Sequence, residues 1–181
     1  MAGKLYVSNS GDNTVSIVDV ANDTVVQTLQ TGAEPYQSTV ISNNVYIYNK
    51  GNKTFSIIPS TAPVLQSLEV VEKIGSYGQG QALTLRATFN RVILAGSFIN
   101  LTLNNGVKIV LDKVNNNIIS GAYIIEKNQE QEALNVSSID ATKIIDFTGM
   151  TGTNYSIPAK KNLADTKKIT ITNSASSTTL E

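Results

Sequence analysis

Leu5-Tyr6-Val7-Ser8-Asn9-Ser10-Gly11-Asp12-Asn13-Thr14-Val15-Ser16-Ile17-Val18 aligns without a gap on Val45-Tyr46-Ile47-Tyr48-Asn49-Lys50-Gly51-Asn52-Lys53-Thr54-Phe55-Ser56-Ile57-Ile58. Tyr6/Tyr46, Asn9/Asn49, Gly11/Gly51, Thr14/Thr54, Ser16/Ser56 and Ile17/Ile57 are identical, and the other strand positions match by type. Each copy sets a turn rich in residues that tolerate positive φ (Asn9 to Asn13, Asn49 to Lys53) between two alternating apolar runs. Strand, turn, strand is therefore the local structure the sequence dictates, twice over.

A period of about forty residues made of short strands is the spacing of one β-propeller blade. Outward from the first copy, Ala21-Asn22-Asp23 turns and Thr24 to Leu29 forms a third strand. Gly32-Ala33-Glu34-Pro35 is a loop, and Tyr36 to Ile41 a fourth strand. The second copy ends in Val64-Leu65-Gln66-Ser67-Leu68, which corresponds to the third strand of the first. Closing a ring takes about four to eight blades, and fewer than two are present. The sequence thus predicts a truncated propeller-type segment over 1–68 whose open β edges favour self-association. Met1-Ala2-Gly3-Lys4 lacks the apolar stretch of a signal peptide and reads as a start inside a longer protein.

The pattern resembles the YVTN β-propeller repeats of surface-layer and other extracellular proteins. The resemblance is carried by Tyr6-Val7-Ser8-Asn9, Asn13 to Asp19, Thr24-Val25-Val26 and Gly32-Ala33-Glu34-Pro35. The second copy has Pro59 where that family usually carries Asp, and lacks the Gly-x-x-Pro loop, as a terminal repeat does.

From residue 69 to about 173 the repeat stops and longer alternating strands begin. Leu68, Val70 and the pair Val71/Ile74 read as an opening strand, and Gly75-Ser76-Tyr77-Gly78-Gln79-Gly80 as a glycine-rich turn. Leu83 to Phe89 alternates apolar with polar at period two, as do Phe98 to Leu103 and Val107 to Leu111 around the Asn104-Asn105-Gly106 turn. Ile118 to Ile125, Leu134 to Ile139, Lys143 to Phe147 and Lys167 to Thr172 follow. Short strands with turns every 8 to 12 residues predict a two-sheet sandwich. This part resembles the bacterial immunoglobulin-like or cadherin-like repeats of secreted adhesins. The matching residues are Tyr77-Gly78-Gln79-Gly80, Leu83 to Phe89, Leu101 to Gly106 and Ile144-Ile145-Asp146-Phe147-Thr148-Gly149; Met150 stands where that family usually has Asn. Residues 174–181 read as a disordered Ser/Thr tail ending in a cloning scar, Leu180-Glu181.

Composition narrows function by exclusion. Fourteen Lys and Arg balance fourteen Asp and Glu, so charge gives no reason to expect nucleic acid or an anionic membrane as partner. No run of eighteen apolar residues occurs, so no membrane insertion is expected. The sequence has no Cys and no His, which removes thiol nucleophiles, imidazole bases, side-chain zinc sites and haem ligation.

The chemistry left belongs to carboxylates, hydroxyls and amines. Asp112, Asp140, Asp146 and Asp165 could hold calcium at a loop or junction, but calcium takes six to eight oxygens and no clustered acidic loop is present; solvated turn and cap residues are the simpler reading. Asp12-Asn13 reads as turn geometry. Glu126, Glu130 and Glu132 could pair as glycosidase carboxylates, yet they sit in a charged loop without an aromatic platform. An isopeptide crosslink would need a Lys and an Asn against a buried acid, whereas Lys108 and Lys143 alternate outward. Tyr6, Tyr46 and Tyr48 could line a groove, or pack on a sheet face. Gly75, Gly78 and Gly80 mimic a phosphate loop with no helix behind it. Sequons at Asn22, Asn52, Asn100, Asn135 and Asn154 arise readily in an Asn/Ser/Thr-rich chain.

The expectation is an all-β protein: an incomplete propeller-type repeat followed by an immunoglobulin-like sandwich. Together they form a non-catalytic spacer or assembly module of a large extracellular or cell-surface protein. No catalytic, cofactor or metal residue is expected, and the expected partners are neighbouring domains of the parent protein or further copies of the chain. A glycan- or protein-binding accessory module is the alternative.

Overall fold

A computed structural model describes residues 3–173 and is all-β apart from one short helix. The expected tail over 174–181 lies outside the described residues. Two compact units divide the chain, one made of residues 3–62 with 146–150, the other of 63–145 with 151–173.

In the smaller unit, β1 (Lys4–Asn9), β2 (Thr14–Asp19) and β3 (Thr24–Gln30) form one antiparallel sheet. β4 (Pro35–Ile41), β5 (Asn44–Asn49) and β6 (Thr54–Pro59) form a second. The two copies fold alike: β1 pairs with β2, and β5 with β6, in the same register forty residues on. The residue that turns each hairpin lies at the equivalent position, Asn13 (φ 56°) and Lys53 (φ 56°). The strand expected to end the first copy opens the second sheet instead, because β4 pairs with β5.

The sheets share one core: Val15 and Ile17 from the first, Val45, Ile47 and Ile58 from the second, with Tyr6, Val26 and Leu29 at its margin. A polar device repeats as well. Asn9 Nδ2 donates to Thr14 Oγ1 (3.0 Å) and Ser16 Oγ (2.9 Å); Asn49 Nδ2 donates to Thr54 Oγ1 (3.1 Å) and Ser56 Oγ (3.0 Å). Asn49 is buried because the Gly32 backbone lies on it, so close that a Cβ there would meet Asn49 Nδ2 at 2.6 Å. Gly32 N also donates to Ser56 Oγ (3.1 Å). Burial makes a lost hydrogen bond costlier. Asn49→Ala should therefore cost about 2 kcal/mol and the half-buried Asn9→Ala about half that, measured by urea denaturation of the two variants side by side; equal costs would contradict the burial argument.

The larger unit is a sandwich of two four-stranded sheets. Its strands are β7 (Leu65–Val70), β8 (Gly75–Tyr77), β9 (Ala82–Phe89), β10 (Phe98–Leu103), β11 (Lys108–Leu111), β12 (Lys113–Asn115), β13 (Ile118–Ile124), β14 (Val136–Ile145), β15 (Thr151–Gly152) and β16 (Ile169–Ile171), with helix α1 (Leu163–Thr166) before the last. One sheet runs β12-β13-β9-β7, the other β11-β10-β14-β15, and β8 pairs parallel with β16 beside them. Alternation along β9 (Leu83, Leu85, Ala87, Phe89) and β10 (Ile99, Leu101, Leu103) delivers one side of each sheet to a common core. Phe89 meets Tyr155 edge to face at 5.6 Å.

Three strand assignments in this unit differ from expectation, and one short helix is additional. Val64 to Leu68, expected to close the second copy, instead belongs with Val70 to the sandwich: Leu65–Val70 pairs with β9, and its Leu65, Leu68 and Val70 find a larger apolar surface in the sandwich core than a three-stranded sheet offers. Gly75–Tyr77 is a strand rather than part of a turn, recruited by β16. Leu134 to Ile139 and Lys143 to Phe147 are largely one strand, β14, whose irregular register against β10 disguises its continuity. The stretch before Lys167 holds α1, where Asn162 completes a capping box with Asp165 and also bonds both main-chain groups of Val136.

Candidate functional site

The surface that stands out is the outward face of β4–β6. Alternation sends Val45, Ile47 and Asn49 of β5 inward, and Tyr46 and Tyr48 outward. Cross-strand register sets Ile57 beside Tyr46, Phe55 beside Tyr48, and Thr39 and Gln37 of β4 on their other side. Tyr48 and Phe55 stack at a tilt, ring centroids 5.4 Å apart. Gln37, Ser38, Thr39, Tyr46, Tyr48 and Phe55 line an open hollow of about 520 Å³. Phe55 and Ile57 are exposed, as are Leu5, Val7 and Val25 on the outer side of β1–β3. Contiguous exposed apolar faces are the kind of surface at which proteins interact. Of the tyrosines singled out by sequence, Tyr46 and Tyr48 belong to this face, whereas Tyr6 packs against the core. Burial, and then the Asp146 charge, raise the Tyr6 hydroxyl pKa.

The acidic candidates do not assemble. Among the described residues, no three of them gather where a metal could sit. Glu126, Glu130 and Glu132 are exposed, and Glu132 pairs with Lys168 at 3.1 Å in solvent. Lys108 and Lys143 are exposed on β11 and β14. Asp112 is exposed, and Asp165 caps α1. Asp146 departs from the solvated reading: it is fully buried, and its Oδ1 accepts from Thr148 N (2.9 Å), Thr148 Oγ1 (2.6 Å) and Met150 N (3.0 Å). Gly75 and its neighbours lead into no helix, since β9 follows. Of the sequon asparagines, Asn22, Asn52 and Asn154 are exposed, while Asn100 lies within β10 and Asn135 Oδ1 accepts from Ala164 N.

Two acids, exposed Asp140 and half-buried Asp19, are held below the usual carboxylate range. For Asp140 the causes are the Ser138 and then the Thr102 hydroxyl; for Asp19, the Lys4 ammonium at 3.0 Å and then the Ala21 N–H. The unfolded chain therefore takes up protons before the folded one does as pH falls, and stability drops on the acid side. Urea midpoints should decline below about pH 4, and Asp19→Asn with Asp140→Asn should flatten that decline. An unchanged acid slope in the double variant would show that neither carboxylate contributes to it.

No protein-family model matches this chain, and no curated protein matches it. Among solved structures, the crystal structure of the S-layer protein SbsC domains 4 and 5 aligns with 93% of this chain and 75% of its own, at 10% identity and a TM-score of 0.22. No helix among the described residues is long and apolar enough to cross a membrane.

Proposed function

We propose that this chain is a non-catalytic structural module of a large cell-surface or surface-layer protein, acting as spacer or assembly unit. What supports the reading is where its buried and half-buried polar side chains go: they bond main chain or neighbouring hydroxyls and amides rather than converge on a cleft. Asp146 holds its own loop, and Asn162 ties α1 to β14. Lys167 Nζ donates to the carbonyls of Val70 (2.9 Å), Val71 (3.0 Å) and Glu72 (3.0 Å). A repeat and a sandwich each with its own core, and the absence of Cys and His, favour the same conclusion. The test is a panel of glycosyl, acyl and phosphoryl ester substrates offered to the purified protein. No turnover is expected, and Glu126→Ala, Glu130→Ala and Glu132→Ala should each shift stability by less than about 0.5 kcal/mol. Hydrolysis abolished by any of these changes would overturn the reading.

A second reading, an accessory module binding glycan or protein, is favoured by the exposed Tyr48–Phe55 pair, since aromatic faces stack on apolar sugar surfaces. A glycan array probed with the wild type and Phe55→Ala tests it; saturable binding lost in the variant would support it, and a blank array would remove its glycan form.

A further inference from the structure

The two sheets of the smaller unit do not pack as mirror partners. The first buries Val15 and Ile17, with Tyr6 partly buried against them, whereas the second buries Val45, Ile47 and Ile58. Forty residues apart, these are opposite faces of the same repeat: Val45 and Ile47 correspond to Leu5 and Val7, and Val15 and Ile17 to Phe55 and Ile57. One face of the unit thus covers the other face of the next, a head-to-tail contact, and such contacts leave one unsatisfied face of each kind at the two ends.

Exposure follows this complementarity at four pairs of equivalent positions. Val45 and Ile47 are both at 0%, but their equivalents Leu5 and Val7 stand at 53% and 39%. Val15 and Ile17 are both at 0%, but Phe55 and Ile57 stand at 63% and 57%. The open aromatic face of β4–β6 carries the residue positions that already cover an apolar sheet inside the chain. The open face of β1–β3 carries the positions already covered. Even the Asn–Thr–Ser device of the buried face is present on the open one, as Asn9, Thr14 and Ser16.

We infer that copies of this chain stack head to tail, the β4–β6 face of one on the β1–β3 face of the next. The inference deepens the assembly reading above and rests on it. It differs from edge-to-edge strand pairing, because the contact is made by side chains on the sheet faces. The contact between copies lacks an equivalent of the Gly32 loop that bonds Ser56, since Leu65–Val70 leaves for the sandwich. Association is therefore reversible and rises with concentration, and the geometry either closes a ring or propagates.

Sedimentation velocity across a hundredfold concentration range tests this with four proteins. The wild type should grow beyond a dimer as concentration rises. Leu5→Glu, which blocks one face, and Phe55→Glu, which blocks the other, should each stay at the 19.4 kDa monomer mass. An equimolar mixture of these two should form dimers that grow no further, since one supplies each intact face; recovery in the mixture also shows that both variants are folded. Tyr46→Glu, on the central strand β5, should behave as Phe55→Glu does. A wild type that stays monomeric throughout overturns the stacking inference while leaving the substrate-panel test of the structural reading untouched. Dimers that persist in Leu5→Glu alone would show face-to-like-face pairing and overturn it. Loss of association only with substitutions on β1 and β6, and not with Tyr46→Glu, would assign the contact to strand edges and overturn it as well.

Discussion

Gly121→Ala is expected to destabilise the sandwich by about 3 kcal/mol or more, a cost large enough to unfold a domain of ordinary stability. Gly121 lies in the middle of β13, opposite Leu85 of β9, with its Cα side turned to β11 of the other sheet. A Cβ there would overlap the carbonyl oxygen of Val110 and stand 2.9 Å from Leu111 Cδ2 and 3.1 Å from the Val110 carbonyl carbon. The nearest obstacle is main chain, pinned by the β10–β11 ladder, so no side-chain rotation relieves the overlap. One sheet must move from the other along a core that includes Leu85, Leu111 and Ile119, and each contact opened there loses dispersion and burial together. The neighbouring Ala122 is exposed, and Ala122→Ser is the control, with a shift under about 0.5 kcal/mol. Urea denaturation of both variants decides it. A Gly121→Ala midpoint close to that of the wild type would mean that the sheets are more loosely apposed than this geometry requires.

Legibility from sequence followed the range of the interaction involved. The paired hairpins were readable because turn and strand patterns are local: Asn9 to Asn13 and Asn49 to Lys53 announce themselves without reference to the rest of the chain. The sandwich followed from the alternation of Leu83 to Phe89 and Phe98 to Leu103. Val64 to Leu68 is ambiguous in the sequence because its spacing suits either sheet, and partner choice depends on the size of the apolar surface waiting elsewhere. The four-residue helix α1 is too short to show a period. Its Asn162-x-x-Asp165 cap was available as a sign, though the acidic third residue was read only as a solvated or capping carboxylate. Gly121 carries a local sign of its own, since an isolated glycine within an alternating strand marks close backbone approach. The aromatic face was half visible: alternation placed Tyr46 and Tyr48 on one side of a strand, but only the pairing of sheets shows which side stays open.

Asp146 is the position where the sequence reading and the structure differ most in energetic consequence, and Asp146→Ala is expected to cost about 3 kcal/mol. All three donors reach a single carboxylate oxygen: the Thr148 N–H, the Thr148 hydroxyl and the Met150 N–H. The Asp146 main chain closes the same loop, accepting from Gly149 N at 2.9 Å and donating to Met150 O at 3.0 Å, while Gly149 takes the positive φ of 74° that lets the chain reverse. Removing the carboxylate leaves buried donors without an acceptor, and the desolvation they suffered is no longer offset. Asp146→Asn separates hydrogen bonding from charge. An amide oxygen placed at Oδ1 accepts the same three bonds more weakly, so this variant should lose only about 1 kcal/mol. Thr148→Val removes one donor together with its need, and should fall between wild type and Asp146→Ala. A loop whose aspartate were merely solvated would give three variants indistinguishable from wild type by urea midpoint. A loop that needed the negative charge itself would make Asp146→Asn as damaging as Asp146→Ala. The ordering of the three midpoints therefore separates what Asp146 contributes as an acceptor at Oδ1, where three donors converge, from what it contributes as a charge.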